Sequence, residues 1–274
     1  MDNKLSWYPG HIKAARQKIR ARFPKIDILI EIIDARAPIS SASGIFDEIP
    51  DKKHFLVINK CDLVDNDIVN EIKNKFYGKD VFFISALNRK SIADLFNNIK
   101  AISVNNIDKL VNYGFKNKSS FVMIAGMPNV GKTQLIKQIS GKKKLRIANR
   151  PGVTRSEQWI TYENLRIMDT PGVLYPEVDD EDIIYKLAVI NCVDASRIGY
   201  SEVLEFFWNN IEEKGQKILT DGYLLGKCQH FSEFLIEFEK KYSIKGNDNI
   251  ATKVFSDYNK GKFKKIILDK LNEV

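Results

Sequence analysis

Nowhere does the chain carry the roughly 20 consecutive apolar residues that a membrane-spanning helix requires, which argues against a helical membrane protein. Cysteine is scarce as well: Cys61, Cys192 and Cys228 are the only 3 in 274 residues. Their wide spacing matches neither a metal ribbon nor a disulfide framework and suits a reducing cytoplasm. The opening residues, Met1-Asp2-Asn3-Lys4-Leu5-Ser6, hold no apolar segment of the signal-peptide kind, so the expected location is cytoplasmic. Acidic residues are missing from two stretches. Lys4, Lys13, Arg16, Lys18, Arg20, Arg22 and Lys25 stand in the first. Lys142, Lys143, Lys144, Arg146, Arg150 and Arg155 stand in the second. Much of the net charge of +8 therefore gathers in two patches. These suit a polyanion such as RNA, or simply a solvated cationic face beside a nucleotide.

What is present begins with Gly126-Met127-Pro128-Asn129-Val130-Gly131-Lys132-Thr133. An apolar run, residues 121–125, precedes it, and residues 134–139 place apolar side chains at helical spacing. A strand, a glycine-bounded loop and Gly-Lys-Thr opening a helix form a phosphate-cradling loop in its required context. The glycines let successive N–H groups turn inward, and the helix start adds its positive dipole end. Asn129, Val130, Gly131, Lys132, Thr133 and Gln134 are the expected phosphate-side contacts. Lys132 would reach the β- and γ-phosphates, and the Thr133 hydroxyl would bind Mg²⁺.

Upstream, residues 26–34 read as a mostly apolar strand whose acids meet solvent or basic neighbours. It ends in Ala35-Arg36-Ala37-Pro38. A basic helix over 12–23 precedes it. Residues 55–58 form another buried strand and run into Asn59-Lys60-Cys61-Asp62. A carboxylate at Asp62, just past a strand end, can accept two hydrogen bonds from the N1–H and exocyclic amine of guanine. Adenine has no matching donor edge, so such a site discriminates strongly. Asn59 can bridge to the base or to the phosphate loop, the Lys60 stem can lie along the ring, and Cys61 reads as a small filler. Residues 81–84 form a strand ending at Ser85-Ala86-Leu87, a loop able to present backbone N–H groups to guanine O6. Helices are expected over 68–76 and 92–102, followed by a polar link, 105–120.

After the phosphate loop, Thr154 in Arg150-Pro151-Gly152-Val153-Thr154 is the candidate hydroxyl that closes on Mg²⁺ and the γ-phosphate. Residues 157–162 and 165–168 flank a tight Glu163-Asn164 turn, a hairpin that delivers Asp169-Thr170-Pro171-Gly172. Asp169 suits the carboxylate that holds Mg²⁺ through water, and the Gly172 N–H suits the γ-phosphate. Beyond residue 177, apolar residues recur at helical intervals in four groups, around Ile183, Val203, Phe231 and Phe263. The expected division is a nucleotide-binding α/β domain with a basic N-terminal segment over 1–178 and a small all-α domain over 179–274, with its aromatics as core.

The base-reading elements precede the phosphate-binding ones. Ordinary small GTPases run the other way, so the expected fold is an α/β P-loop GTPase fold cut and rejoined elsewhere, with residues 105–120 closing the old ends. The arrangement resembles the circularly permuted GTPases and most nearly the bacterial ribosome biogenesis GTPase A family. The carriers are Trp7-Tyr8-Pro9-Gly10-His11, Asp34-Ala35-Arg36-Ala37-Pro38, Asn59-Lys60-Cys61-Asp62, residues 126–133, Pro151-Gly152-Val153-Thr154 and Asp169-Thr170-Pro171-Gly172. The resemblance spans essentially the whole chain, though motifs thin out after about residue 180. It implies GTP hydrolysis in late assembly of the large (50S) ribosomal subunit. It also implies precursor particles and ribosomal RNA as partners, the latter through the helical domain, with no membrane or DNA partner. An RNA-binding assembly factor in which GTP only gates binding and hydrolysis resets the state is the alternative.

Ras-like enzymes place a water-orienting Gln after the Asp-x-x-Gly element. Here Val173 and Leu174 stand there, and neither side chain can hydrogen-bond water. The resemblance points to His11 as the catalytic replacement. A local structural or RNA-contacting role for His11 is the other reading. In related potassium-activated GTPases an Asn at the position of Asn129 helps hold a monovalent cation, so K⁺ is a candidate beside GTP or GDP and Mg²⁺.

Overall fold

Seven consecutive buried residues, Ile28–Asp34, form β1. A strand covered on both faces reads as a continuous apolar run rather than an alternating one. The computed structural model describes residues 17, 19–45, 51–76, 80–112, 119–141, 158–170 and 180–271. Parallel to β1 lie β2 (Lys53–Asn59) on one side and β4 (Ser120–Ala125) on the other. Outside them come β3 (Val81–Phe83), β6 (Leu165–Asp169) and the antiparallel edge strand β5 (Gln158–Tyr162). The sheet order is β3-β2-β1-β4-β6-β5. Sequence order breaks at β4, whose neighbours are β1 and β6, and in an open α/β sheet such a break leaves a crevice at the carboxyl ends of the strands. The register brings Asp34 beside Asn59 and Ile124 beside Asp169 at that end.

Of the two settings expected for the acids of β1, solvent or basic neighbours, solvent is not found. Glu31 is buried and accepts from the N–H and the hydroxyl of Ser43, each at 2.5 Å. Asp34 is fully buried among cations, described below. The expected basic helix is helical at its described end, Gln17, Ile19 and Arg20, and gives way to a 3-10 turn, Phe23–Lys25, at Pro24. The hairpin is as expected, with Tyr162 paired to Leu165 and Glu163 in the left-handed region at φ +50°.

Helices α1 (Asn66–Lys75) and α2 (Ala93–Asn112) follow β2 and β3. The link read as 105–120 is shorter than expected, because α2 carries on to Asn112. Buried Leu95 and Ile99 anchor its first half. A helix once nucleated propagates at little cost. The phosphate loop opens α3 (Lys132–Ser140).

The C-terminal region is helical: α4 (Glu181–Val189), α5 (Tyr200–Asn210), α6 (Glu212–Gly222), α7 (Phe231–Tyr242) and α8 (Asn247–Asn259). Asp180 caps α4 by accepting from the Asp182 N–H at 2.9 Å. Phe207, Trp208, Phe234, Phe238 and Tyr258 are buried, so these aromatics are core. The fourth apolar group is not a helix. Gly261, at φ +82°, turns the chain against Leu63, and Phe263, Ile266, Leu268 and Leu271 are buried from turns and extended backbone. The helices the pattern hid are α6, which carries Gly215 and Gly222, and α8, whose buried Ile250, Val254 and Tyr258 lie among Asn, Asp and Lys. One contiguous apolar cluster joins Val122 and Ile124 of the sheet, Met127 and Val130 of the loop, and Leu187 and Val189 of α4. No helix among the described residues is long and apolar enough to cross a membrane.

Candidate functional site

The loop between β4 and α3 takes its shape from two glycines. Gly126 sits at φ +142°, and a Cβ there would lie 2.3 Å from the Ile32 carbonyl oxygen. Gly131 sits at φ +112°, and a Cβ there would lie 2.1 Å from Asn59 Nδ2. Both positions combine a left-handed backbone with an approach no side chain permits. Gly131 brings no side-chain cap to the start of α3, so the N–H groups of the first turn face the crevice as an anion site. The buried Lys132 Nζ donates to the carbonyls of Gly126 at 3.0 Å and Met127 at 2.7 Å. Burial lowers its pKa to about 8 against the raising effect of Asp169.

Asn59, at the end of β2, joins the elements expected to read the base and to hold the phosphates. Its Nδ2 donates to the Val130 carbonyl at 2.7 Å, and its Oδ1 accepts from the Ala86 N–H at 2.8 Å. It thus bridges to the phosphate loop, one of the two roles open to it. Lys60 takes a left-handed backbone, φ +63°, and its Nζ pairs with Asp34 at 2.7 Å. Asp62 is exposed beside it. Cys61 Sγ lies 3.2 Å from the Ile58 carbonyl, and burial pushes its thiol up to about 12, consistent with a filler. In the 85–87 loop the Ser85 N–H donates to Ser91 Oγ at 3.0 Å, so the N–H groups of Ser85 and Ala86 are both engaged within the protein. Leu87 projects into solvent, and Gln134 Nε2 lies 3.4 Å from the Ala86 carbonyl.

On the other side of the loop, Thr133 Oγ1 donates to Asp169 Oδ2 at 2.9 Å. Asp169 is buried and its Oδ1 has no hydrogen-bond partner, the one such side-chain atom found among the described residues. Burial raises its pKa, opposed by Thr133 and Lys132. An unsatisfied buried carboxylate oxygen is costly unless a cation or donor completes it. Paired with a hydroxyl, it is the hard-oxygen set Mg²⁺ prefers. Thr170 Oγ1 ties the following backbone to the Ile124 carbonyl at 2.8 Å. His11, Thr154 and Gly172 lie outside the described residues.

Sequence reasoning missed how far the helical region enters this site. Arg36 is fully buried, with Nε and Nη2 on the two carboxylate oxygens of Asp34 at 2.9 and 2.7 Å and Nη1 on Asn259 Oδ1 of α8 at 2.9 Å. Burial alone would raise the Asp34 pKa, but Arg36 and Lys60 together hold it well below the usual carboxylate range. Burial would likewise lower Arg36, and Asp34 holds it up. Asn129, at φ +58° in the loop, donates its Nδ2 to the Asn191 carbonyl just past α4 at 2.7 Å. An acid and an arginine two residues apart at the end of an apolar strand, ahead of Pro38, were the available signal for the first contact. Nothing local marks Asn191 or Asn259.

The permuted sheet order, the glycine-bounded loop and the Asn59 junction define a circularly permuted P-loop GTPase. The sequence matches the family model described as "50S ribosome-binding GTPase" over residues 121–220. The match opens inside β4 and leaves residues 59–62 outside, as a cut between base-reading and phosphate-binding halves requires. The chain is 31% identical over 223 residues to ribosome biogenesis GTPase A of Bacillus licheniformis, covering 80% of this chain and 79% of that one. It is 30% identical over 273 residues to the probable ribosome biogenesis GTPase A of Mycoplasma genitalium, covering 96% of each. The crystal structure of GNP-bound YlqF from T. maritima has the same fold, with TM-score 0.65 at 22% identity over 95% of this chain and 100% of that chain. The chain belongs to the ribosome biogenesis GTPase A family.

Proposed function

We propose that this protein binds GTP in the crevice at the carboxyl ends of β1, β2, β4 and β6 and hydrolyses it to drive a late step of 50S subunit assembly. The supporting observation is the Asn59 junction: one side chain holds the 85–87 loop and the phosphate loop together, although 71 residues separate Asn59 from Val130. In this reading Asp62 accepts from the guanine edge and Lys60 lies along the ring. The Leu87 N–H takes O6, since Ala86 is engaged with Asn59. The N–H groups from Asn129 to Gln134 hold the phosphates. Lys132 exchanges its loop carbonyls for phosphate oxygens. Thr133 and Asp169 hold Mg²⁺, with Asp169 acting through water, and Thr154 completes the set while the Gly172 N–H reads the γ-phosphate. Mg²⁺ bound there supplies charge neutralisation on the β- and γ-oxygens.

His11 orients the attacking water, since Val173 and Leu174 cannot. Asn129, its Nδ2 given to Asn191, retains Oδ1 as the atom able to hold K⁺. The domains divide at 178/179, and the helical one meets ribosomal RNA of the 50S precursor in the cytoplasm, where the particle stimulates turnover.

Calorimetry with GDP, a GTP analogue and ADP tests the pocket: guanine nucleotides bind and ADP does not, and equal affinity for ADP refutes the base assignment. Co-sedimentation with 50S precursors under GTP analogue, GDP and no nucleotide tests the partner, with retention expected under the analogue. Turnover of the parent unchanged by those particles favours the gated assembly factor over the stimulated enzyme. His11→Ala is expected to lower particle-stimulated turnover by about 10²-fold or more, and a change within twofold removes His11 from the mechanism. Turnover equal in KCl and NaCl at matched ionic strength removes K⁺.

A further inference from the structure

Three contacts join the helical region to the guanine-reading side of the crevice in one chain. Lys60 Nζ meets Asp34 Oδ2 at 2.7 Å, Arg36 Nη2 meets the same oxygen at 2.7 Å, and Arg36 Nη1 meets Asn259 Oδ1 at 2.9 Å. Asn259 cannot swing away freely, because its Nδ2 donates to the Val189 carbonyl at 2.9 Å and the Phe255 carbonyl at 2.8 Å. The Arg36 guanidinium also lies over the Tyr258 ring, 5.2 Å from its centroid. The end of α4 that Asn259 grips is two residues from Asn191, whose carbonyl takes the Asn129 amide of the phosphate loop at 2.7 Å. The same end of one helix thus reaches both halves of the pocket. Asp34 and Arg36 are fully buried, so the geometry tolerates little slack.

We infer that Asn259 is a positioning residue for the bound guanine nucleotide: through Arg36 and Asp34 it fixes Lys60 against the base, so the docked helical region slows nucleotide release and its undocking speeds it. Asn259 touches no nucleotide; it acts through the buried ion pair. With Asn259 removed, Nη1 of Arg36 loses its acceptor, the guanidinium keeps only its Asp34 and Tyr258 contacts, and the carboxylate that pairs with Lys60 loses the tie that fixes it to the helical region. The inference rests on the guanine pocket proposed above. It adds that the helical region is part of that pocket's retention machinery, not only a surface carried beside it.

The test is the release rate of a fluorescent GDP from the full chain after a chase with excess GDP. Asn259→Leu, with the same side-chain branching and without the acceptor, is expected to speed release about tenfold, the order of losing one hydrogen bond to a charged group. Lys60→Met should speed it as well, and the double variant should release no faster than Lys60→Met alone, because both act on one contact. A merely structural Asn259 would lower the melting temperature and multiply the two effects. Release from Asn259→Leu within twofold of the parent, or a fully multiplicative double variant, overturns the inference. Amide exchange on the parent gives a reading that needs no variant: GDP should slow exchange across 187–192 and 255–260 at least tenfold, and unchanged exchange there overturns it. A parent that binds GDP but not ADP and fails these tests sinks the inference alone, whereas one that binds neither or both sinks the pocket reading beneath it.

Discussion

Lys132 is expected to make nucleotide binding pH-dependent in a window where few side chains titrate. Its ammonium is buried against the Gly126 and Met127 carbonyls, and burial sets its pKa near 8 in the free protein. Phosphates placed beside it raise that value. The sign follows: below about pH 8 the free protein already carries the proton and binds at full strength, whereas above it binding must take up a proton, so affinity falls as pH rises through 8. With a free-state value of about 8, GDP should bind about sevenfold more weakly at about pH 8.8 than at about pH 7.0, a loss of ~1.1 kcal/mol. The window stops short of the N1–H ionisation of guanine itself. Isothermal titration in two buffers of different ionisation enthalpy measures both the affinity and the proton uptake, which should approach one proton per GDP at the upper end. Lys132→Met should bind weakly at every pH and take up no proton. Affinity that stays flat from about pH 7.0 to 8.8, with no buffer-dependent heat, would refute the claim that a lysine titrating near 8 contacts the phosphates.

Gly131→Ala combines a φ of +112° with a Cβ 2.1 Å from Asn59 Nδ2, so it should cost about 1–3 kcal/mol in backbone strain and weaken GDP at least about tenfold by displacing Asn59; calorimetry and a thermal melt check both. Asp169→Asn removes a buried charge and puts an unpartnered amide where Oδ1 had no partner, so the nucleotide-free protein should be no less stable than the parent in urea unfolding. Mg²⁺-dependent turnover should fall about 10–100-fold in the same variant, and a destabilised variant contradicts the assignment. Arg36→Met leaves Asp34 buried with Lys60 as its remaining ionic partner and should cost about 3–5 kcal/mol; an unfolding free energy in urea that falls by less than about 1 kcal/mol shows that Asp34 is not held by that pair.

The strand, loop and helix start over residues 120–140 are legible in the sequence because each is local. A strand run, two glycines and Gly-Lys-Thr lie within 13 residues of one another, and the physics that shapes the loop needs only those neighbours. The hairpin was legible for the same reason. The helical region was half legible: α5 and α7 carry Phe and Trp at helical spacing, but the buried face of α8 is spread among Asn and Lys, and α6 holds two glycines. The stretch after Gly261 shows the opposite error, since apolar residues at helical spacing are buried there from turns, each meeting a different neighbour. Least legible were Asn191 and Asn259. An asparagine near a helix end has no sequence mark of its own, and each matters only through a partner, Asn129 or Arg36, that is 62 or 223 residues away.

The last described residues close over some of the first. The Leu268 N–H donates to the Arg36 carbonyl at 2.8 Å, and Asp269 accepts from the Ile39 and Ser40 N–H groups at 2.7 and 2.9 Å. During synthesis from the N-terminus, β1 emerges with Arg36 at its end and waits more than two hundred residues for those lids. Until they arrive a guanidinium meant for a dry interior stands in water, next to backbone donors with nothing to bind. A chain interrupted near residue 260 would carry every described nucleotide motif and still lack the strap that buries this corner.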